Sequence, residues 1–241
     1  MKIAVEIFLL AILVACAWNG YKKGLIMGIG TILAIILSLY MGDLLSDTFS
    51  QEASPVVHPF VSGYMDGNEG VIGKSMSELM GVSQLDLSLE DALAKNPELK
   101  YELGEMSYKK MGINSSEAKK MTLVAAEIAD RTGASFSGTL VNVMCDYLVY
   151  YIGFFLFFVI ILIILIVIGN ITNLSFRIPG MNALNNYGGL AAGIITGILF
   201  CSVIAAVLRL TGVIYPEEEY SKSLLAALFV KMNLLSGFIS A

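Results

Sequence analysis

Long apolar runs alternate with polar stretches along the chain, and four of the runs are long enough to cross a membrane. The first extends from Ile3 to about Tyr21, broken by Glu6, and the second from about Leu25 to Gly42. The third, Tyr147 to Gly169, carries no charge, and the fourth runs from about Gly188 to Leu208, ending at Arg209. A hydrocarbon core of about 30 Å is spanned by about 20 helical residues, and a segment within it must satisfy its own backbone hydrogen bonds. The pattern therefore predicts an all-α integral membrane protein with about four transmembrane helices in two hairpins. The expected organisation is a first hairpin over 1–42, an acidic, mostly helical extracytoplasmic insertion over 43–146, a second hairpin over 147–210 and an amphipathic C-terminal helix over 211–241.

Local signals subdivide the polar regions. Asn96-Pro97 predicts a helix start with proline in the first turn, running to about Lys110. Asn114-Ser115-Ser116-Glu117 has the form of a capping box, opening a helix that Gly133 would end. Ser88-Leu89-Glu90-Asp91 marks another start. Prolines and glycines between Ser50 and Gly73 predict irregular chain there. In the tail, Leu224, Leu225, Leu228, Phe229, Met232, Leu235 and Ile239 recur at helical spacing, as in a helix lying in the interface or packed on the bundle.

Composition agrees with this division. Charged residues make up 15% of 241 and apolar residues 56%, too few charges to cover a water-facing surface. The segment from Asp43 to Asp146 holds 16 acidic and 8 basic residues. An acidic region of that kind repels phosphate backbones, which argues against nucleic acid as a partner. The cysteines Cys16, Cys145 and Cys201 are far apart and His58 is the only histidine, so neither a disulfide framework nor a metal or other cofactor is expected.

Orientation follows from the short connections. Lys22 and Lys23 lie between the first two runs and Arg177 between the last two; basic residues in short loops stay on the cytoplasmic side. Both termini and the acidic insertion are then expected outside. Trp18, Tyr21, Tyr40, Tyr147 and Tyr187 stand near the ends of runs, where amphipathic rings favour the headgroup zone.

The chemistry-bearing candidates are few. Gly20, Gly24 and Gly28 lie four apart, as do Gly189, Gly193 and Gly197. Read as single helix faces, these ladders let a second backbone approach closely, and Gly30 and Gly188 widen them. Each half of the chain has the same order of helix, short loop and glycine-led helix, as a parallel internal repeat would. Glu6 is the one ionisable residue within the first run, either an interfacial group or a buried functional carboxyl. Leu13-Val14-Ala15-Cys16 also fits a lipoprotein cleavage pattern, which would make Cys16 a lipidated residue. Catalytic constellations, phosphate-binding loops and zinc motifs are absent from the sequence, so no enzyme is expected.

Glu6, the turn Gly20-Tyr21-Lys22-Lys23-Gly24, the segment Arg177-Ile178-Pro179-Gly180-Met181-Asn182-Ala183-Leu184-Asn185-Asn186-Tyr187-Gly188-Gly189 leading to Gly193 and Gly197, and Ser221-Lys222-Ser223-Leu224 occur in one order. In that order the chain resembles the colicin V production protein (CvpA) family of bacterial inner-membrane proteins. The resemblance implies a multi-pass protein of the bacterial cytoplasmic membrane that supports production or export of a peptide toxin, or envelope homeostasis, without catalysis. Arg177 and Asn185 would shape the cytoplasmic turn. Thr196 and Asn186 depart from the family, where basic residues are common, and the stretch 43–146 is longer than the usual connection. The expected partners are the lipid bilayer and either a second copy or export machinery. Two other readings remain open at this stage: an oligomeric channel or small-solute transporter with Glu6 in a polar path, and a surface protein lipidated at Cys16.

Overall fold

A computed structural model describes residues 2–82, 89–171, 180–210 and 228–229. Eight helices follow one another among the described residues up to Leu210: α1 (Lys2–Lys23), α2 (Leu25–Met65), α3 (Val71–Met80), α4 (Leu89–Lys95), α5 (Leu99–Lys110), α6 (Ser115–Thr132), α7 (Phe136–Ile171) and α8 (Asn182–Leu210). Four of them, α1, α2, α7 and α8, are long and apolar enough to cross a membrane, and no strand occurs among the described residues. The all-α membrane class expected from the sequence is what the structure shows. The chain divides into two compact units, with α2 and α7 each contributing to both.

The first unit holds α1, α2 as far as Ser46, α7 from Gly153, and α8. Packing gives the helix directions. A β-carbon on Gly197 would touch Leu13 and Cys16, one on Gly193 would meet Cys16 and Ala17, and one on Gly189 would meet Gly20 and Gly24. Numbers rise on α8 as they fall on α1, so the two are antiparallel. Gly188 instead faces Leu25, and Gly28 faces Ala192, which makes α2 parallel to α8. Gly42 lies against Phe154 and Phe158 of α7, closest to the face where Ile35, Leu39, Phe158, Leu162 and Val203 cluster. A second cluster joins Leu9, Cys201, Ala205 and Phe229.

Outward faces of the same helices are apolar as well. Ile7 is 61% exposed, Leu33 61% and Ile163 56%. Water would penalise such a surface, and hydrocarbon does not.

The second unit comprises Asp47–Ile152 and the short segment Leu210–Ile214, of which only Leu210 is described. Its core gathers Met65, Ile72, Met76, Leu103, Tyr108, Ala118, Ala125, Leu140 and Met144. Helices α5 and α6 meet at Gly104, where a β-carbon would come within 2.5 Å of the Thr122 methyl. Tyr108 is fully buried and its hydroxyl donates to the Leu140 carbonyl at 3.0 Å. Ion pairs Lys100–Asp130 (2.6 Å) and Lys110–Glu78 (2.7 Å) lie on the surface, where each contributes about 0–1 kcal/mol.

Local signals were decisive where the chain supplied them. Asn114 caps α6, its side-chain oxygen accepting from the amides of Ser116 and Glu117 at 3.1 Å, and Gly133 closes the helix at φ 70°. Helix α5 ends at Lys110 as read, starting at Leu99 after a turn at Asn96-Pro97.

The irregular chain expected between Ser50 and Gly73 is corrected: α2 continues to Met65 through Pro55 and Pro59. An internal proline costs about 3 kcal/mol in a helix, but Val61 and Met65 are buried in the core beyond it, each contributing about 1.5–3 kcal/mol. The break falls only at Asp66–Gly70, where Gly67 takes φ 78° and its amide donates to the Asp66 carboxylate at 2.9 Å. Likewise α7 begins at Phe136, well before Tyr147, because Phe136, Leu140, Val141 and Met144 complete the core of the second unit. The amphipathic helix expected over 211–241 lies outside the described residues, apart from Leu228 and Phe229.

Candidate functional site

The interface that α8 makes with the α1–α2 turn is the most closely built part of the first unit. Helix α1 continues to Lys23, so Gly20 belongs to α1, Gly28 to α2, and Gly24 to neither. The reading of Gly20, Gly24 and Gly28 as one helix face is therefore corrected. Gly24 is the single residue between the helices and takes φ 89°, a conformation that an L side chain rarely adopts. Its amide donates to the Gly20 carbonyl at 2.9 Å, and its own carbonyl accepts from the Gly28 amide at 3.0 Å.

All three glycines nonetheless converge on α8. A β-carbon on Gly20 would press on the Gly189 carbonyl and stand 2.8 Å from the Gly193 α-carbon. One on Gly189 would press on the Gly20 carbonyl and stand 2.9 Å from the Gly24 α-carbon. A β-carbon on Gly28 would come within 2.7 Å of that of Ala192. Gly197 has more room, with 3.1 Å to Leu13. Asn185 is 1% exposed, and its carbonyl lies 3.8 Å from the position of a β-carbon on Gly24. Backbone-to-backbone approach of this kind replaces hydrophobic association, which has no driving force in lipid.

Beside this interface runs a cavity of about 380 Å³ lined by residues of all four helices. Cys16, Gly20, Gly28 and Gly193 form one wall, Leu33 and Leu37 with Leu165 and Ile168 the other. Polar atoms are sparse: Asn19, Lys23, Thr31 and Thr196. The Thr31 hydroxyl donates to the Met27 carbonyl at 2.9 Å, and Ser38 and Ser202 bond back in the same way. Thr196 is 6% exposed and its hydroxyl reaches no partner among the described residues. Sequence reasoning noted Thr196 only as a departure from the family, since a lone threonine in an apolar helix carries no further signal. Cys201 is fully buried and directs its sulfur to the Leu9 carbonyl at 3.6 Å.

Glu6 is half-buried on α1 and is not among the cavity-lining residues. Arg177 lies outside the described residues. Cys16 sits within α1, its carbonyl against Gly193. At the turn, the Lys22 amine stands 5.1 Å from the Trp18 ring centre, Trp18 stacks on Tyr21 at 6.2 Å, and Tyr21 meets Tyr187 edge-on at 6.4 Å. Such a cluster of rings and a cation is typical of the membrane–water boundary. No group of acidic, cysteine and histidine side chains suited to a metal ion occurs among the described residues.

These features define a helical, multi-pass membrane protein with a glycine-packed bundle. Residues 121–233 match the model of the family described as Colicin V production protein, the family that the sequence resembles. The match takes in Asn185, Gly189, Gly193 and Gly197, while Glu6 and the Gly20–Gly24 turn precede it. It begins at Met121 in α6. It thus overlaps residues 121–146 of the acidic stretch. No curated protein and no solved structure matches the chain.

Proposed function

We propose that this protein is a non-catalytic component of the bacterial cytoplasmic membrane that supports production or export of a colicin V-type peptide toxin, or envelope homeostasis. The carrying observation is the family match across α8, joined to a bundle held by close packing: Gly20, Gly189 and Gly193 in backbone contact. A rigid α1–α2–α8 interface suits a scaffold that holds a partner or a second copy in the membrane. The basic residues Lys22, Lys23 and Arg177 in the short turns support an orientation with those turns in the cytoplasm and both termini, with the acidic insertion, outside.

The test uses a bacterial host that lacks its own family member and carries the colicin V genes. Expression of this chain restores toxin release, and Gly193→Leu does not. Equal release with and without the chain would remove the proposal. Cysteines placed at Ser62, Ser135 and Ser175 check the orientation: the first two label from outside, the third only after permeabilisation.

A further inference from the structure

We propose that the cavity beside the glycine interface is a lipid site, holding one acyl chain of an anionic phospholipid with its phosphate at Lys23. The volume, about 380 Å³, falls in the range of about 300–1,000 Å³ usual for small-molecule sites. Its walls are apolar, and three lining residues, Leu33 (61%), Leu37 (48%) and Ile168 (51%), are also exposed on the outer surface of the bundle. The cavity is therefore a groove open sideways onto the faces that meet hydrocarbon. Water does not fill such a space well, because it needs 2–4 polar partners. An acyl chain enters without crossing any polar barrier.

Charge selects the headgroup. Lys23 is the one charged residue of the lining, and it forms no ion pair among the described residues. As the last residue of α1 it stands where the chain turns back, the level at which phosphates lie. Its neighbour Lys22 is engaged with the Trp18 ring. A single cation above an apolar groove complements an anionic headgroup above its acyl chain. Gly30 lines the groove as well, and a β-carbon there would meet nothing within 4 Å, so the missing side chain is what leaves the space open.

The experiment is native mass spectrometry of the full chain released from detergent, with equal amounts of dioleoyl phosphatidylglycerol and dioleoyl phosphatidylcholine. Phosphatidylglycerol is retained over phosphatidylcholine by about fivefold, the factor expected of one lysine near the headgroups. Lys23→Gln abolishes the preference, Gly30→Leu fills the groove and abolishes retention, and Lys22→Gln changes neither. Circular dichroism confirms that each variant keeps its helix content. Equal retention of the two lipids overturns the proposal, as does undiminished retention in Gly30→Leu. Displacement of the lipid by millimolar inorganic phosphate also overturns it, since the site would then bind a free anion.

Discussion

The carbonyl of Gly189 occupies the space that a β-carbon on Gly20 would need, and the carbonyl of Gly20 does the same to Gly189. The relation is reciprocal: each backbone fills the place of the side chain that the other lacks. Because the obstruction is backbone rather than the end of a flexible side chain, substitution here cannot be absorbed by a rotamer change.

Gly193→Leu should therefore destabilise the bundle by about 3 kcal/mol or more, the upper part of the range for overpacking. Its β-carbon would be driven onto the Cys16 carbonyl and within 3.0 Å of the Ala17 α-carbon. Gly30→Ala, which meets open space, should be neutral or slightly stabilising through helix propensity. Thermal unfolding in one detergent, followed by circular dichroism, separates the two. Equal melting temperatures would show that the close approach carries no energy.

How much of this was legible in the sequence depends on the range of the interaction. Asn114 and Gly133 announced α6 because a cap involves neighbours only a few residues away. The spans were legible because hydrocarbon imposes length and polarity on every residue in them. Pro55 and Pro59 misled, since their local cost is visible in sequence while the burial of Val61 and Met65 against distant helices is not. The first glycine series was found but misassigned: nothing in GYKKG says that the helix persists to Lys23 and turns on one residue. The pairing of Gly20 with Gly189, like the groove around Thr196, depends on helices far apart in the chain, and periodicity does not report which helix meets which.

Asn114→Ala tests the most local of these features. The substitution leaves the amides of Ser116 and Glu117 without the acceptor that now serves both. A loss of about 1 kcal/mol is expected, read as a lowered urea midpoint for the second unit in the full chain. Asn114→Asp retains an acceptor and should keep most of that stability. If both variants melt alike, the cap is not what starts α6.

Thr196→Val should act in the opposite direction. The two side chains have nearly the same shape, and the threonine hydroxyl is buried without a partner, a state that costs about 1–3 kcal/mol. Removing the hydroxyl should raise the melting temperature of delipidated protein in detergent. Thr31→Val, which deletes a hydroxyl bonded to the Met27 carbonyl, should raise it less or lower it. A drop for Thr196→Val of the size seen at Thr31 would mean that the hydroxyl is satisfied after all.

Tyr108 gives a prediction in pH. Burial, with a smaller contribution from the neighbouring Cys145, pushes its phenol well above the usual value of about 10, and the hydroxyl donates to the Leu140 carbonyl at 3.0 Å. The fold thus favours the neutral form, whereas an unfolded chain ionises near the ordinary value. The stability this group contributes is complete below about pH 10 and is lost as pH rises above it toward the folded value, because the unfolded state then releases a proton that the folded state retains. Tyr108→Phe should cost about 1 kcal/mol at neutral pH by removing the hydrogen bond to the Leu140 carbonyl. It should also flatten the loss of stability between about pH 10 and 12, measured as the urea midpoint at each pH with tyrosinate absorbance followed in parallel. An unchanged alkaline slope in the phenylalanine variant would assign that loss to other groups and show that Tyr108 ionises as freely in the fold as outside it.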